Sequence, residues 1–128
     1  MAKAWSYNEA CRLAGELYGN ILARNSDPVG FNYTVDQLHS GRETVREVVE
    51  RFLVSEEFRE KFVMNQTPNE LAQRLLAQLC RQRRVKPEEI KSVAVTLAER
   101  DWRDVMEELV NGNLYDEAHG EDRVPVWA

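Results

Sequence analysis

The chain is poor in the residues that build metal sites and disulfide frameworks. Its 128 residues include two cysteines and two histidines, and the cysteines, Cys11 and Cys80, stand far apart. A zinc site needs more donors at closer spacing, and one distant cysteine pair is not typical of a disulfide-rich domain. We therefore interpret both cysteines as small buried apolar side chains, and we expect no metal and no cofactor. Covalent attachment of a cofactor to Cys11 or Cys80 stays open.

Long apolar runs are also missing. No stretch approaches the ~18 apolar residues of a membrane-spanning helix, and the opening MAKAWSYNEA lacks the apolar segment of a secretory signal. The formal net charge of -5 argues against nucleic acid as the main partner, because proteins that bind the phosphate backbone carry a dominant basic face. We expect a cytosolic protein that binds no nucleic acid and does not insert into a membrane.

Catalytic motifs are absent from the sequence. It contains no G-x-S-x-G, no H-E-x-x-H and no glycine-rich phosphate loop. His39 falls near the end of a predicted helix and His119 in a polar tail, and we interpret both as solvated surface histidines rather than general bases. Most acidic residues fall in the first turns of predicted helices, where the helix dipole favours them. The sequence therefore predicts a protein that is not an enzyme.

Helix-start signals, in contrast, recur along the chain. Three capping boxes place a Ser or Thr three residues before a Glu, at Ser6–Glu9, Thr44–Glu47 and Thr67–Glu70. Asp27-Pro28 and Pro87 add two further starts, with proline at the first helical position. Behind each start, apolar residues repeat at i, i+3, i+4 and i+7. The chain is predicted to be all-α, a compact bundle of six to eight short helices forming a single domain over residues 1–128.

Several helix ends and a tail are predicted as well. Asn25-Ser26-Asp27-Pro28 is expected to end the first helix, and Ser40-Gly41 the second. Asn111-Gly112-Asn113 is expected to end the last substantial helix. The tail from Gly120 to Ala128 is predicted to be extended coil.

Charge is distributed unevenly along the chain. Between Arg74 and Lys91 six basic residues face two acidic ones, whereas between Glu99 and Asp122 nine acidic residues face two basic ones. One interpretation is a bipolar surface whose basic corner, Arg81, Arg83 and Arg84, docks acidic groups of a partner. The alternative is a basic last helical turn that complements the helix dipole, followed by a solvated acidic helix.

The sequence resembles the phycobilisome linker domain in several ordered motifs. Gln37-Leu38, Ser40-Gly41 and Val45-Arg46-Glu47-Val48-Val49 are similar to that family's "QLxxG…VREFVRAL" stretch. Ser55 to Phe62 is similar to "SExYRxxFF", and Tyr115 followed by Gly120-Glu121-Asp122-Arg123-Val124-Pro125 resembles "EYxxxFGEDxVPY". Leu17-Tyr18 through Asp27-Pro28-Val29-Gly30 resembles a related bacterial repeat, "LYRxxLGRxPDPxGLxYW". The resemblance covers nearly the whole chain.

This resemblance implies a structural role in a light-harvesting antenna. Linkers of this family are helical, bind in or beside phycobiliprotein rings and fix how the rings stack. Carried over, it implies that Ser55, Phe58, Arg59 and Phe62 hold the helical core. The partners it implies are phycobiliprotein rings, with other linker proteins as further candidates. The implied location is the phycobilisome, at the cytoplasmic face of the thylakoid membrane.

The same resemblance directs attention to the C-terminal tail. Arg123, Val124 and Pro125 belong to its motif, and we expect this tail to pack back on the bundle. Trp127, which follows Val126, is a candidate contact anchor because tryptophan is enriched at interface hot spots; it could equally close the domain's own core. The candidate partner-binding residues are Arg81, Arg83, Arg84, Arg123, Val126 and Trp127.

Departures from the family pattern keep other functions open. Family linkers are often basic, which suits insertion into acidic rings, whereas this chain is acidic. His119 stands where the family usually has Phe, and Val126 where it often has Tyr. The segment from Glu70 to Leu79 resembles the family's "ELAFKHLLGR" helix, but Leu79-Cys80-Arg81-Gln82 lacks the glycine at its end. A terminal, peripheral or accessory linker fits these departures. The alternatives are a helical adaptor of another bacterial assembly and an accessory factor in bilin or phycobiliprotein maturation.

Overall fold

Helices and short turns make up the described part of the chain. The structure is a computed structural model that describes residues 3–79 and 85–125. Its α-helices are α1 (Tyr7–Leu17), α2 (Pro28–Ser40), α3 (Val45–Leu53), α4 (Glu56–Phe58), α5 (Pro68–Leu79), α6 (Pro87–Glu99), α7 (Trp102–Val110) and α8 (Asn113–His119). No strand occurs within those two ranges, and the all-α prediction, with eight short helices, is confirmed.

The helices begin where the sequence predicts. The Thr44 hydroxyl accepts the backbone N–H of Glu47 at 3.1 Å, and the Glu47 carboxylate accepts the backbone N–H of Thr44 at 2.9 Å. Thr67 and Glu70 form the same two bonds, and the carboxylate of Asp27 accepts the N–H of Gly30 at 2.8 Å. Each cap satisfies backbone donors that have no partner within the helix and contributes about 1 kcal/mol.

One apolar core joins the two ends of the chain. All five apolar residues of the α3 stripe are buried, and they pack with the inner face of α1 and with residues as distant as Tyr115 and Val124. Tyr18 and Phe52 pack their rings 4.8 Å apart at the centre of this contact. The predicted stripes of α1, α3 and α7 therefore face the same interior, which brings the N-terminal segment and the tail side by side.

The first helix ends before the predicted Asn25–Pro28 segment, and it ends in a π-helical turn. Its last turn widens into a π-helical turn, Tyr18–Leu22, and Ala23 then adopts the left-handed conformation, with φ of 55°. The ammonium group of Lys61 donates to the carbonyl oxygen of Leu22 at 3.0 Å. This distant side chain satisfies a carbonyl at the helix end, a contact that the local Asn25–Pro28 sequence does not reveal.

Two features of the second half also differ from expectation. A further helix, α8, follows directly on the predicted break at Asn111-Gly112-Asn113, and Glu121 and Asp122 form a turn before the chain extends. In α6, only Ala94 of the predicted apolar stripe is fully buried, while Ile90, Val93 and Leu97 are half-buried. This helix packs mainly on α5 and less on the central core. Within the described residues, no helix is long and apolar enough to cross a bilayer.

Candidate functional site

Of the six predicted partner-binding residues, Arg123 lies within the described part of the chain. Cys80 and five of these candidates, Arg81, Arg83, Arg84, Val126 and Trp127, lie outside the described residues. Arg123 is described and its side chain is exposed, next to the buried Val124. The candidate site is therefore built around Arg123 and the tail to which it belongs.

Arg46 holds this tail against α3. Its backbone N–H donates to the carbonyl oxygen of Glu121 at 3.0 Å, and its Nε donates to the carbonyl oxygen of Gly120 at 3.4 Å. A guanidinium nitrogen also pairs with the carboxylate of Asp116, and the guanidinium carbon lies 5.5 Å from the ring centre of Tyr115. One residue, through its side chain and its backbone N–H, therefore binds both α8 and the turn after it.

After its contact with Arg46, the tail packs against the core, as predicted. Gly120 redirects the chain with φ of 60° and ψ of -147°, a conformation that residues with a Cβ rarely adopt. Val124 then joins the central apolar cluster, and Pro125 is buried as well. The prediction that the Arg123-Val124-Pro125 segment packs on the bundle is confirmed.

His119 is not the solvated surface histidine that the sequence analysis expected. Its side chain is 3% exposed, and its Nε2 lies 3.0 Å from the carbonyl oxygen of Gln78 in α5. Its ring packs 5.0 Å from that of Tyr115. The polar neighbours of His119 in the sequence suggested solvent, but α8 turns this position inward, one helical turn after the buried Tyr115. His39 is exposed, as expected, and its Nδ1 lies 2.8 Å from the carbonyl oxygen of Trp5.

Tyr115 is the most deeply enclosed polar side chain of this region. Its ring is fully buried beside the ring of His119 and the guanidinium group of Arg46, and burial raises the pKa of its hydroxyl well above the ordinary value. The hydroxyl has no hydrogen-bond partner among the described residues. Tyr115 therefore acts here as a packing residue of the tail motif and stays neutral at physiological pH.

A cleft of about 510 Å³ opens between α1 and the tail. Leu13 and Val124 supply apolar lining, and Trp5 contributes an almost fully buried indole. The polar lining consists of Arg12, Glu16, Asn20, Asp122 and Arg123. This concave surface contains the one candidate residue, Arg123, that the structure describes.

The predicted core role of the Ser55–Phe62 motif is confirmed for three of its residues. The Ser55 hydroxyl caps α4 by accepting the N–H of Phe58 at 3.2 Å and donates to the carbonyl oxygen of Phe52 at 2.7 Å. Phe58 and Phe62 are buried with ring centres 4.9 Å apart. Arg59 instead lies half-buried at the surface, paired with Glu56 at 3.3 Å.

A second polar network joins Arg24, in the loop after the π-helical turn, to the N-terminal cap of α2 and to α4. The Arg24 guanidinium donates two bonds to the Glu57 carboxylate, at 2.6 and 2.9 Å, and a third to Asp27 at 3.2 Å. These bonds, with a further one from Lys61, hold the pKa of Glu57 below its ordinary value. Arg24 and Asp27 belong to the motif from Leu17 to Gly30, and the network acts structurally, because its charges are paired with one another.

The described residues offer little for chemistry. They contain no group of three or more His, Cys, Asp and Glu side chains placed to hold a metal ion. Cys11 is half-buried at the edge of the core instead of fully buried, because it lies beside the exposed Tyr7 at the border of the apolar face of α1. The pKa of Tyr7 is raised, chiefly by the neighbouring Cys11.

The sequence analysis did not identify Trp5 and Arg46 as residues of the site. Trp5 precedes the first cap and belongs to no helical pattern. Arg46 was noted only as part of a motif, yet a basic residue in the first turn of a helix is disfavoured by the helix dipole. A positive charge at this position indicates an acidic partner from a distant part of the chain, which in this fold is Asp116.

Taken together, the capped helices, the single core and the clasped tail define a small all-helical interaction domain. A family model described as "Phycobilisome Linker polypeptide" matches residues 6–127, nearly the whole chain. The chain belongs to this family of phycobilisome linkers, whose members are structural and associate with phycobiliproteins in the phycobilisome on the thylakoid surface. A comparison with curated proteins gave no match.

Proposed function

We propose that the chain is a non-catalytic linker that binds phycobiliproteins and helps to assemble or position the phycobilisome at the cytoplasmic face of the thylakoid membrane. The observation that carries the proposal is the family match over residues 6–127, which includes the tail motif. The clasp formed by Arg46 on Gly120 and Glu121 supports it further, because the tail then presents Arg123 from a fixed backbone.

The charge distribution favours a position beside a ring over one inside its cavity. In α7 and the turn before it, Arg100 and Arg103 are already paired with Glu108 and Glu56. The remaining acidic side chains of α7 and α8 therefore give that end of the domain a negative surface, which an acidic ring would repel. We propose a terminal, peripheral or accessory linker, with Arg81, Arg83, Arg84 and Arg123 as its candidate contacts to acidic groups of the ring.

Co-purification tests this function directly. A tagged copy expressed in a cyanobacterial host is expected to bring down coloured phycobiliprotein at the high phosphate concentration that keeps these assemblies intact. Replacement of Arg81, Arg83 and Arg84 by Glu should weaken capture and reduce its salt dependence while the helix content stays unchanged. Arg42→Glu, at an exposed arginine in the turn before α3, serves as the charge-reversal control. If the wild-type chain captures no phycobiliprotein, the proposal is wrong.

A further inference from the structure

The outer side of α2 is apolar and nearly free of charge. Val29 and Tyr33 lie one turn apart there and are 82% and 52% exposed. Asp36 is the one Asp, Glu, Lys or Arg among the 13 residues of this helix, whereas 30% of the whole chain is charged. Protein–protein interfaces are depleted of charge and enriched in aromatic side chains, while ordinary surfaces expose apolar residues singly. The composition of this surface is therefore that of an interface.

Tyr7, at the start of α1, extends this surface onto the neighbouring helix. It is 57% exposed, and its ring centre lies 6.0 Å from that of His39 near the end of α2. The pKa of its hydroxyl is raised chiefly by Cys11 and further by the charge of Asp36, so that carboxylate lies near Tyr7. Asp36 also follows Tyr33 by three residues on the same side of the helix. We name this surface the α2 face and define it by its exposed members, Tyr7, Val29, Tyr33 and Asp36.

The ring of Tyr33 is held in place by the fold. The guanidinium carbon of Arg51, in α3, lies 4.9 Å from the centre of this ring. Arg51 is fixed in turn by two bonds to the Glu43 carboxylate, at 3.1 and 3.2 Å, and by one to the Thr34 hydroxyl at 3.2 Å. An exposed side chain that is already restricted loses less entropy on binding, and tyrosine is enriched among the residues that dominate binding energy. Tyr33 is therefore suited to anchor a partner.

The charge of the α2 face indicates which kind of partner fits. Asp36 is exposed and forms no ion pair with any described residue, and the nearby Arg51 is already paired with Glu43. A second copy apposed through the same helix would bring another Asp36 and no cation of α2, and an acidic ring would be repelled as well. A guanidinium or ammonium group, in contrast, can pair with this carboxylate and also pack on an aromatic ring.

We propose that the α2 face is a second interaction surface, which binds a segment of a partner protein that carries an arginine or lysine between apolar side chains. The cation pairs with Asp36, the apolar side chains cover Tyr33 and Val29, and Tyr7 borders the segment on the side of α1. This inference goes beyond the proposed function and does not depend on it. Arg123 is a candidate contact to acidic groups, whereas the α2 face takes a basic partner.

The test uses the full chain labelled with 15N and three capped peptides. The probe is Leu-Arg-Leu-Leu-Arg, its uncharged counterpart is Leu-Gln-Leu-Leu-Gln, and Gly-Arg-Gly-Gly-Arg keeps the charge without apolar side chains. We expect the backbone amide signals of α2 to shift saturably with the probe at about millimolar concentrations. The uncharged counterpart should bind about two- to fivefold more weakly because it lacks the cation, and the glycine peptide about tenfold more weakly because it covers neither Tyr33 nor Val29.

Substitutions separate the two contributions. In Asp36→Asn the probe and its uncharged counterpart should bind equally well, because the preference for a cation is lost. Tyr33→Ala should weaken binding of both peptides by about tenfold. Both residues are exposed, so the variants are expected to keep the helix content of the wild type. Asp104→Asn makes the same change at an exposed carboxylate of α7 and should leave the preference intact.

Three results of the titrations would overturn the proposal: no saturable shift in α2 with the probe, no preference for it over the uncharged peptide, or an equal loss of that preference in Asp104→Asn and Asp36→Asn. Sedimentation of the wild type tests the symmetric alternative. We expect a monomer, and a dimer that Tyr33→Ala dissociates would contradict the proposal, because a second copy would then occupy the α2 face.

Discussion

The backbone N–H of Arg46 donates to the carbonyl oxygen of Glu121 at 3.0 Å, which joins the first turn of α3 to the C-terminal tail. Backbone donors in a first helical turn have no partner within their own helix. Thr44 satisfies the N–H of Glu47, and the tail satisfies that of Arg46. The tail motif therefore completes the cap of a core helix, which explains why a segment without secondary structure keeps a fixed position.

Replacing Arg46 by Ala should destabilise the domain by about 1–3 kcal/mol. The substitution removes the bond to Gly120, the ion pair with Asp116 and the contact with the ring of Tyr115, while the backbone bond to Glu121 can persist. Urea unfolding followed by circular dichroism measures the change. Arg42→Ala, at an exposed arginine four residues earlier, should change the free energy of unfolding by about 0.5 kcal/mol or less. Equal effects of the two substitutions would contradict a specific clasp.

Gly30→Ala should destabilise the domain by about 1–3 kcal/mol through overpacking. A Cβ at position 30 would lie 2.1 Å from the hydroxyl oxygen of Tyr18, which is buried and has little freedom to move. Tyr18→Phe removes that oxygen, so the double variant should be more stable than the sum of the single effects predicts, by about 1 kcal/mol. Thermal unfolding of all four proteins measures the coupling. Strict additivity would show that the clash is relieved elsewhere.

The sequence predicts those parts of the fold that local interactions determine. Capping by Thr44 and Thr67 depends on residues three positions away, and the α3 stripe follows from helical periodicity alone. The left-handed Gly41, with φ of 75°, ends α2 as expected for a glycine at that position. These features need no knowledge of tertiary structure, and each of them was predicted at its observed position.

The remaining features depend on contacts between distant parts of the chain. His119 is buried where α8 meets α5, within hydrogen-bond distance of Gln78, and the early end of the first helix is stabilised by Lys61. The cleft forms because Trp5 and Val124 meet across almost the whole length of the chain. No local pattern encodes such pairings, so sequence analysis could identify Arg123 as a candidate but could not place Trp5 beside it.

Acid should weaken the Arg24–Glu57 network. The pKa of Glu57 is held below its ordinary value of 4.5, mainly by the bonds from Arg24. The network's contribution is therefore complete above pH 4.5 and is lost as the pH falls through the lower pKa of the folded state. Glu57→Gln should be less stable than the wild type at neutral pH and should lose less stability on acidification, as measured by urea unfolding across this range.

A second bidentate pair provides the control for this pH effect. Arg100 and Glu108 are joined at 2.7 and 2.8 Å, but their side chains are 44% and 59% exposed. Solvent screening should make Glu108→Gln nearly neutral at every pH. An acid dependence that is unchanged in Glu57→Gln would show that other carboxylates dominate the acid unfolding of this domain.

Two glycines should respond to alanine in opposite ways. Gly120 has φ of 60°, so Gly120→Ala forces a strained backbone conformation that costs about 1–3 kcal/mol. Gly15 lies inside α1, where a Cβ would meet no atom of a neighbouring element within 4 Å. Gly15→Ala should therefore stabilise the domain by about 0.5–1 kcal/mol through helix propensity. Thermal unfolding of the two variants and the wild type measures both changes in stability.

The Gly120 variant also tests whether the tail depends on this one turn. Strain at Gly120 can be relieved if the chain after it leaves the core, which would expose Val124 and open the bonds to Arg46. Limited proteolysis should then cut Gly120→Ala in the tail faster than it cuts Gly15→Ala or the wild type. The contrary outcome is a destabilised Gly120→Ala variant whose tail is cut at the wild-type rate. It would show that α8 absorbs the strain and that Val124 and Arg46 hold the tail without help from this turn.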